Sequence, residues 1–234
     1  MLMTLHPLYF VFAIPALVLS LLARAWVKGA YAKYRRVPNR SGFTGARAAA
    51  EMLRREGVFD VSIVRGRGEL SDHYDPTQKV IRLSPDVHDG TSVAAVGIAC
   101  HEAGHALQHA QAYALLALRS WSVPMASLGG AIGPGLLGIG LALDMVGLVM
   151  IGLLLFAGVF LFQLITLPVE LDASSRAKIA VARDGIVGDA DEAAGVARVL
   201  RAAAFTYVAA LVSTLLILLY YLYRAGLLGG SRRN

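Results

Sequence analysis

Two histidines four residues apart, His101 and His105, with Glu102 beside the first, are the residues of this chain best suited to chemistry. In an α-helix, positions i and i+4 share one face. Both imidazoles then enter the same small volume, where two nitrogen ligands of one zinc ion would stand. Glu102 is turned about 100° from His101, near enough to that face to take a proton from a water the metal activates. Zinc lowers the pKa of bound water from ~16 towards ~7, so the pattern points to hydrolysis at neutral pH. The competing explanation is a pair of packing histidines in an alanine-rich helix. Against it stand the cost of burying histidine and glutamate without a partner or a metal and the length of the helical run. That run extends from Thr91 to about Ala117, with Gly97 and Gly104 as its weak points. Asp89 or Thr91 can cap its start.

A hydrolytic zinc site takes three protein ligands and keeps the fourth position for water. His109 follows His105 at the same spacing, but at ~1.5 Å per residue it lies ~12 Å along the axis from His101. It is therefore expected near the site or at an interface, not on the metal. The metzincin pattern asks for Gly and His three and six residues after the second histidine. This chain has Gln108 and Gln111 there, which excludes that class. The third ligand must come from a distant stretch.

Composition says where that stretch can be. The chain has 234 residues, 56% hydrophobic and 16% charged, with a mean hydropathy of +0.59. These values place it among membrane proteins, as a single membrane-embedded domain spanning 1–234. The one cysteine, Cys100, excludes an internal disulfide and reads as a packing residue. The net charge of +6 does not imply nucleic-acid binding, because no basic helix with interleaved aromatics occurs. Basic residues flanking membrane spans account for it more simply.

Residues 8–26 form an apolar run with no basic residue before it, so they read as a retained first span, with Pro15 as a kink site, and not as a signal peptide. Residues 28–118 read as the soluble part. In it a capped amphipathic helix covers Thr44 to Glu56, with Gly57 as its stop. A short strand covers Val61 to Arg65, a polar turn Ser71 to Pro76, and a second strand Lys79 to Leu83. The last strand's edge could hold an extended peptide by main-chain pairing. Residues 123–167 are apolar over about twice the ~20 residues one crossing needs. They read as a hairpin, Val123–Leu143 out and Val146–Leu167 back, with Asp144 in the solvated turn. Its glycines let the two helices approach closely. Residues 190–225 form one helical run whose part 205–223 is a fourth span. Of the 22 lysines and arginines, 14 fall in 24–120, five in 168–204 and three beyond 205. The positive-inside rule then puts the soluble part and residues 168–204 in the cytoplasm and the C-terminal tail outside, although that tail carries Arg224, Arg232 and Arg233.

The hairpin returns the chain to the side it left, and Leu167-Pro168-Val169-Glu170-Leu171-Asp172 follows at once. Glu170 is therefore delivered to the face where His101 and His105 wait, and is the expected third ligand. Asp172 is turned about 200° from it, so it cannot share that metal face. It serves as a support of the ligands or as a plain helix-start charge.

Four stretches carry a family likeness: Leu70-Ser71-Asp72-His73-Tyr74-Asp75-Pro76, His101 to Gln108, Leu167 to Ser174, and Val199 to Ala209. On these residues the chain resembles the YugP-type neutral zinc metallopeptidases of bacterial membranes. The resemblance implies a gluzincin-like site, with two helix histidines, the adjacent glutamate as base and a downstream glutamate ligand. It runs from about residue 30 to 215. The related HtpX and CAAX-prenyl protease group uses Glu-x-x-Ala-Asp for the third ligand. Aligned on Glu170, that pattern puts Ala173 on the alanine and Ser174 on the aspartate, so a carboxylate is missing at the last position and Asp172 is the nearest substitute.

The expected molecule is an α-helical membrane protein with a small α+β cytoplasmic part and about four transmembrane helices around a gluzincin-like zinc helix. It would sit in the inner or plasma membrane, in contact with the lipid bilayer. It would hydrolyse peptide bonds of peptides or proteins, membrane proteins among them, with Zn2+ on His101, His105 and Glu170, and Glu102 as base. His73 and Tyr207 are the candidate oxyanion donors; a turn hydrogen bond and an interfacial aromatic anchor are their plainer explanations. Two other classes stay open: a partner-binding membrane protein with structural zinc, and a transporter or channel component. A structural site does not need Glu102, and few ionisable groups lie in the spans, where an ion path would want them.

Overall fold

A computed structural model describes residues 6–68 and 71–228. Leu70 and the tail arginines Arg232 and Arg233 lie outside the described residues. The elements run α1 (Pro7–Tyr34), α2 (Gly45–Arg55), β1 (Ser62–Arg65), β2 (His73–Asp75), β3 (Val80–Leu83), α3 (Pro85–His88), α4 (Val93–Ala110), α5 (Ala114–Ala142), α6 (Val146–Arg183) and α7 (Ala190–Arg224). The molecule is mostly helical, with one small sheet. Helices α1, α5, α6 and α7 are each long and apolar enough to cross a membrane, as expected of a multi-pass membrane protein.

The chain divides into two compact units, one of Met1–Ala23, Leu118–Leu167 and Thr206–Asn234, the other of Arg24–Ala117 and Pro168–Phe205. In the first, Leu137 of α5, Val149, Leu153 and Phe156 of α6, and Leu218 of α7 form a buried cluster. Of the glycines expected to let the hairpin close, Gly129 and Gly140 do so, a Cβ at Gly140 standing 2.8 Å from the Val149 nitrogen, whereas Gly130, Gly135 and Gly138 face open space. Gly152 of α6 adds a contact from the other side, where a Cβ would stand 2.9 Å from the Leu137 nitrogen. Asp144 lies in the turn between α5 and α6, exposed and at a positive φ of 53°. Large apolar side chains such as Leu17, Leu128 and Leu154 face outward, as helices with lipid for a solvent require.

The second unit has a conventional core. Ala48, Ala49, Met52 and Leu53 make one buried face of α2 and pack with Val96, Ala99, Cys100 and Ala103 of α4. Thr44 caps α2 by accepting from the Arg47 amide, and Gly57 follows it at φ +73°. Burial pushes the Cys100 thiol up, which suits a packing residue. The sheet order is β1-β3-β2, with β1 parallel and β2 antiparallel to β3. Ile81 and Leu83 turn inward from β3 and are fully buried.

Four expectations need correction. The strand at 80–83 is no free edge, because it is the central strand of the sheet and is paired on both sides. Its second partner is the stretch read as a polar turn, where His73–Asp75 form β2. Three polar residues have no strand pattern of their own, and it is their pairing with β3 that makes them a strand. The helical run at 91–117 is broken: α4 stops at Ala110, Ala112 turns at φ 52°, and α5 starts at Ala114. Neither Asp89 nor Thr91 caps α4. Ser92 does, accepting from the Ala95 amide at 3.1 Å, while Asp89 is held by Arg65 and His88 and the Thr91 carbonyl accepts from the Asn39 amide.

Helix α6 decides the position of the site. With 38 residues it is ~57 Å long at 1.5 Å per residue, nearly twice the ~30 Å hydrocarbon core of a bilayer. Pro168 stands inside it. The same helix that supplies the apolar return span therefore continues into Glu170, Asp172 and Arg176.

Candidate metal centre

His101 and His105 stand one turn apart on α4, their ring centroids 4.7 Å apart. Facing them from α6 is Glu170, 2% exposed. One of its oxygens, Oε2, lies 3.2 Å from His101 Nε2 and 3.6 Å from His105 Nε2. The three donors lie within 4.8 Å of one another, and among the described residues no fourth His, Cys, Asp or Glu joins them.

This donor set fits a zinc ion. Ligands bound at ~2.1 Å in a tetrahedral arrangement are ~3.4 Å apart, close to both separations from Glu170. Two imidazoles and one carboxylate with one position left open is the composition of a catalytic zinc site, whereas structural sites use four protein ligands. The electrostatics agree. Burial alone would pull the His105 imidazole down, but the bond to Glu170 and the charges of Glu102 and Glu170 outweigh it, and its pKa is raised. The pocket favours positive charge among these donors.

The approach of α6 to α4 has a local cause in the motif itself. A Cβ at Gly104 would stand 2.6 Å from the Ala173 carbonyl oxygen and 3.1 Å from its Cα. Only glycine lets the two backbones come this close. Ala173 is one turn beyond Glu170, so contact at Gly104 sets how near that carboxylate comes to the histidines. In the sequence Gly104 reads as a weak point of the helix; in the fold it is the place where the two helices touch.

Glu102 is 8% exposed, and its carboxylate has no hydrogen-bond partner among the described residues. Each histidine, by contrast, is held through its other nitrogen. Ser174 Oγ lies 3.2 Å from His101 Nδ1, and Gln108 Oε1 lies 2.9 Å from His105 Nδ1. Ser174 thus supports His101 with a hydroxyl. Asp172 faces away from the metal donors and accepts from Gln108 Nε2 at 2.8 Å and from Arg176 Nε at 2.6 Å. The spacing placed Asp172 off the metal face, but no sequence signal paired it with Gln108.

Of the remaining candidates, His73 and His109 have partners outside the cluster. His73 is exposed on β2, its Nδ1 2.7 Å from the Ser71 carbonyl, the turn-type contact its plainer explanation calls for. Tyr207 lies on α7 in the other unit. His109 is no ligand: its Nδ1 is 2.8 Å from the Tyr74 hydroxyl. Burial, with the charges of Asp60 and Asp75, pushes that phenol up to about 12. Tyr74 and His109 share the lining of a cavity of about 350 Å3 with Ala106, Asp60 and Lys79. A larger cavity, about 690 Å3, is lined by Arg35, Arg65, Asp86 and Asp89 and by none of the three donors.

With this geometry in hand, comparison with known proteins is informative. A family model described as "putative neutral zinc metallopeptidase" matches residues 9–226. The chain is also similar to a protein of Bacillus subtilis (strain 168) named "Putative membrane protease YugP", with 44% identity over 214 residues, 92% of this chain and 95% of that one. No solved structure matches the chain. Matched over nearly its whole length and carrying zinc-type donors where the two helices meet, this chain belongs to the neutral zinc metallopeptidase family.

Proposed function

We propose that the chain is a membrane-bound, zinc-dependent endopeptidase of gluzincin type, with His101, His105 and Glu170 as metal ligands and Glu102 as general base. One juxtaposition supports this above all. Donors from stretches 65 or more residues apart converge at 3.2 and 3.6 Å, beside the buried Glu102 carboxylate, which has no hydrogen-bond partner among the described residues. A zinc ion held there would supply Lewis acidity, making water a nucleophile near neutral pH and polarising the scissile carbonyl.

The chain's own residues do the rest. Glu102 takes the proton of the attacking water, whose oxygen bonds to the carbonyl carbon, and passes it to the departing amine nitrogen as the C–N bond breaks. Its lone pairs are available because no hydrogen-bond donor among the described residues claims them. Glu170 brings a negative charge that offsets the charge of a divalent ion, and the bonds at Ser174 and Gln108 keep both imidazoles aimed. The substrate is a peptide or protein, membrane proteins included, met at a bilayer that α1, α5, α6 and α7 cross. Nineteen of the 22 basic residues lie in segments 24–120 and 168–204, which favours a cytoplasmic site.

The test is zinc content and proteolysis of a detergent-soluble model protein, wild type beside Glu102→Gln. Both should hold about one zinc, the count a single open three-ligand site allows, and the variant should cut about 10²–10⁴-fold more slowly, as loss of a general base requires. Equal cutting by both proteins would remove Glu102 from the mechanism. Zinc without cutting of any substrate by the wild type would favour a structural, partner-binding role.

A further inference from the structure

The buried amide of Gln108 decides which nitrogen of His105 is free. Gln108 is fully buried and makes three contacts: Oε1 to His105 Nδ1 at 2.9 Å, Nε2 to the Val169 carbonyl at 2.8 Å, and Nε2 to Asp172 Oδ2 at 2.8 Å. An amide offers one acceptor oxygen and two N–H donors, and its orientation must be argued from its partners. The Val169 carbonyl and the Asp172 carboxylate only accept. Asp172 also receives Arg176 Nε at 2.6 Å, and a guanidinium only donates. The Gln108 nitrogen must therefore face both acceptors, since the flipped amide would set oxygen against oxygen twice. That leaves the Gln108 oxygen on His105, so Nδ1 carries the proton and Nε2 keeps its lone pair, pointing toward Glu170.

We propose that Gln108 is the positioning residue of the metal centre: oriented by Asp172 and Arg176, it holds His105 as the Nδ1–H tautomer and clasps the backbone next to Glu170. The inference rests on the zinc-site reading above. Two ligands on different helices are set by one side chain, because Val169 immediately precedes Glu170 in α6. The carboxylate missing at Ser174 is thus not lost to the site. It acts one bond further out and on the other histidine, through an amide. Arg176 completes the chain by donating to Gln111 Oε1 at 2.6 Å, so the support runs from one helix to the other and back.

The experiment measures zinc affinity by chelator competition on the full-length chain in detergent, with the absorption spectrum of the cobalt-loaded protein and the melting temperature of the metal-free protein alongside. Gln108→Leu, which removes the partner of His105, should bind zinc about 10- to 100-fold more weakly. Gln108→Glu, which keeps an acceptor for Nδ1–H but sets a carboxylate against the Val169 carbonyl and Asp172, should bind at least about tenfold more weakly as well. Both should shift the cobalt spectrum. Combining Gln108→Glu with Asp172→Asn should bind at least tenfold more tightly than Gln108→Glu alone, as it removes the second negative charge and offers an amide donor. A folded Gln108→Leu protein with wild-type zinc affinity would overturn the proposal. So would a double variant no tighter than Gln108→Glu. If the wild type itself held no zinc, the metal-site reading would fall and this inference with it; zinc held equally by all variants would sink the positioning role alone.

Discussion

Gly104→Ala is the sharpest test of how the two ligand helices are brought together. The added Cβ would stand 2.6 Å from the Ala173 oxygen, where ordinary contact begins at 3.4 Å. The helices must therefore separate by about 0.8 Å at that point, against a tolerance of about 0.2 Å in metal–ligand distances. Neither partner is a flexible side chain end, so backbone has to move. Ala173 is one turn from Glu170, and the shift is carried to that carboxylate. For stability, overpacking costs about 1–3 kcal/mol, offset by the ~1 kcal/mol that alanine gains over glycine inside a helix. The net loss is then about 0–2 kcal/mol, too small to unfold the protein. Zinc affinity carries the larger effect, a fall of at least about tenfold for a displaced ligand. Chelator competition reads the affinity and a thermal melt of the metal-free protein reads the stability. An alanine variant with unchanged zinc affinity would refute the view that contact at Gly104 places Glu170.

Two further outcomes follow from local features. Ser92→Ala removes the cap that accepts from the Ala95 amide and should cost about 1 kcal/mol. It is seen as a lower melting temperature with zinc affinity unchanged, because the ligands lie two turns further along α4. Hydrogen bonds from Arg54, then Arg55, lower the Glu51 carboxyl from 4.5 to about 2. A depressed carboxylate adds stability above its unfolded pKa and loses it as pH falls. The contribution should be complete above pH 4.5 and vanish as pH drops toward about 2. Melting temperatures across that window, compared with Glu51→Gln, measure it; an identical pH profile in the variant would contradict it.

The chemistry was legible where it depends on near neighbours. The spacing of His101 and His105 is a property of any α-helix, and the adjacency of Glu102 needs no tertiary information. Glu170 could be expected beside the histidines because the apolar stretch before it is long enough for two crossings. Short segments were less legible. His73–Asp75 is a strand only because β3 pairs with it, and the end of α4 at Ala110 rests on one left-handed residue, Ala112, that carries no glycine or proline signal. Gln108 and Ser174 each had a visible identity but an unreadable partner, since the contact of Gln108 with Asp172 joins residues 64 apart.

By itself the sequence determined four helices long and apolar enough to span a membrane, a less apolar stretch between the first two, and the identity of the histidine pair and its glutamate. These follow from hydropathy, length and helical period, which are local quantities. Only the tertiary structure decided that α6 runs unbroken from its apolar part to Glu170, that β3 is central, that Gly104 is a contact between α4 and α6, and that Gln108 links Asp172 to His105. Each depends on how closely two distant backbones approach. That distance is set by packing across the interior, and no stretch of sequence records it.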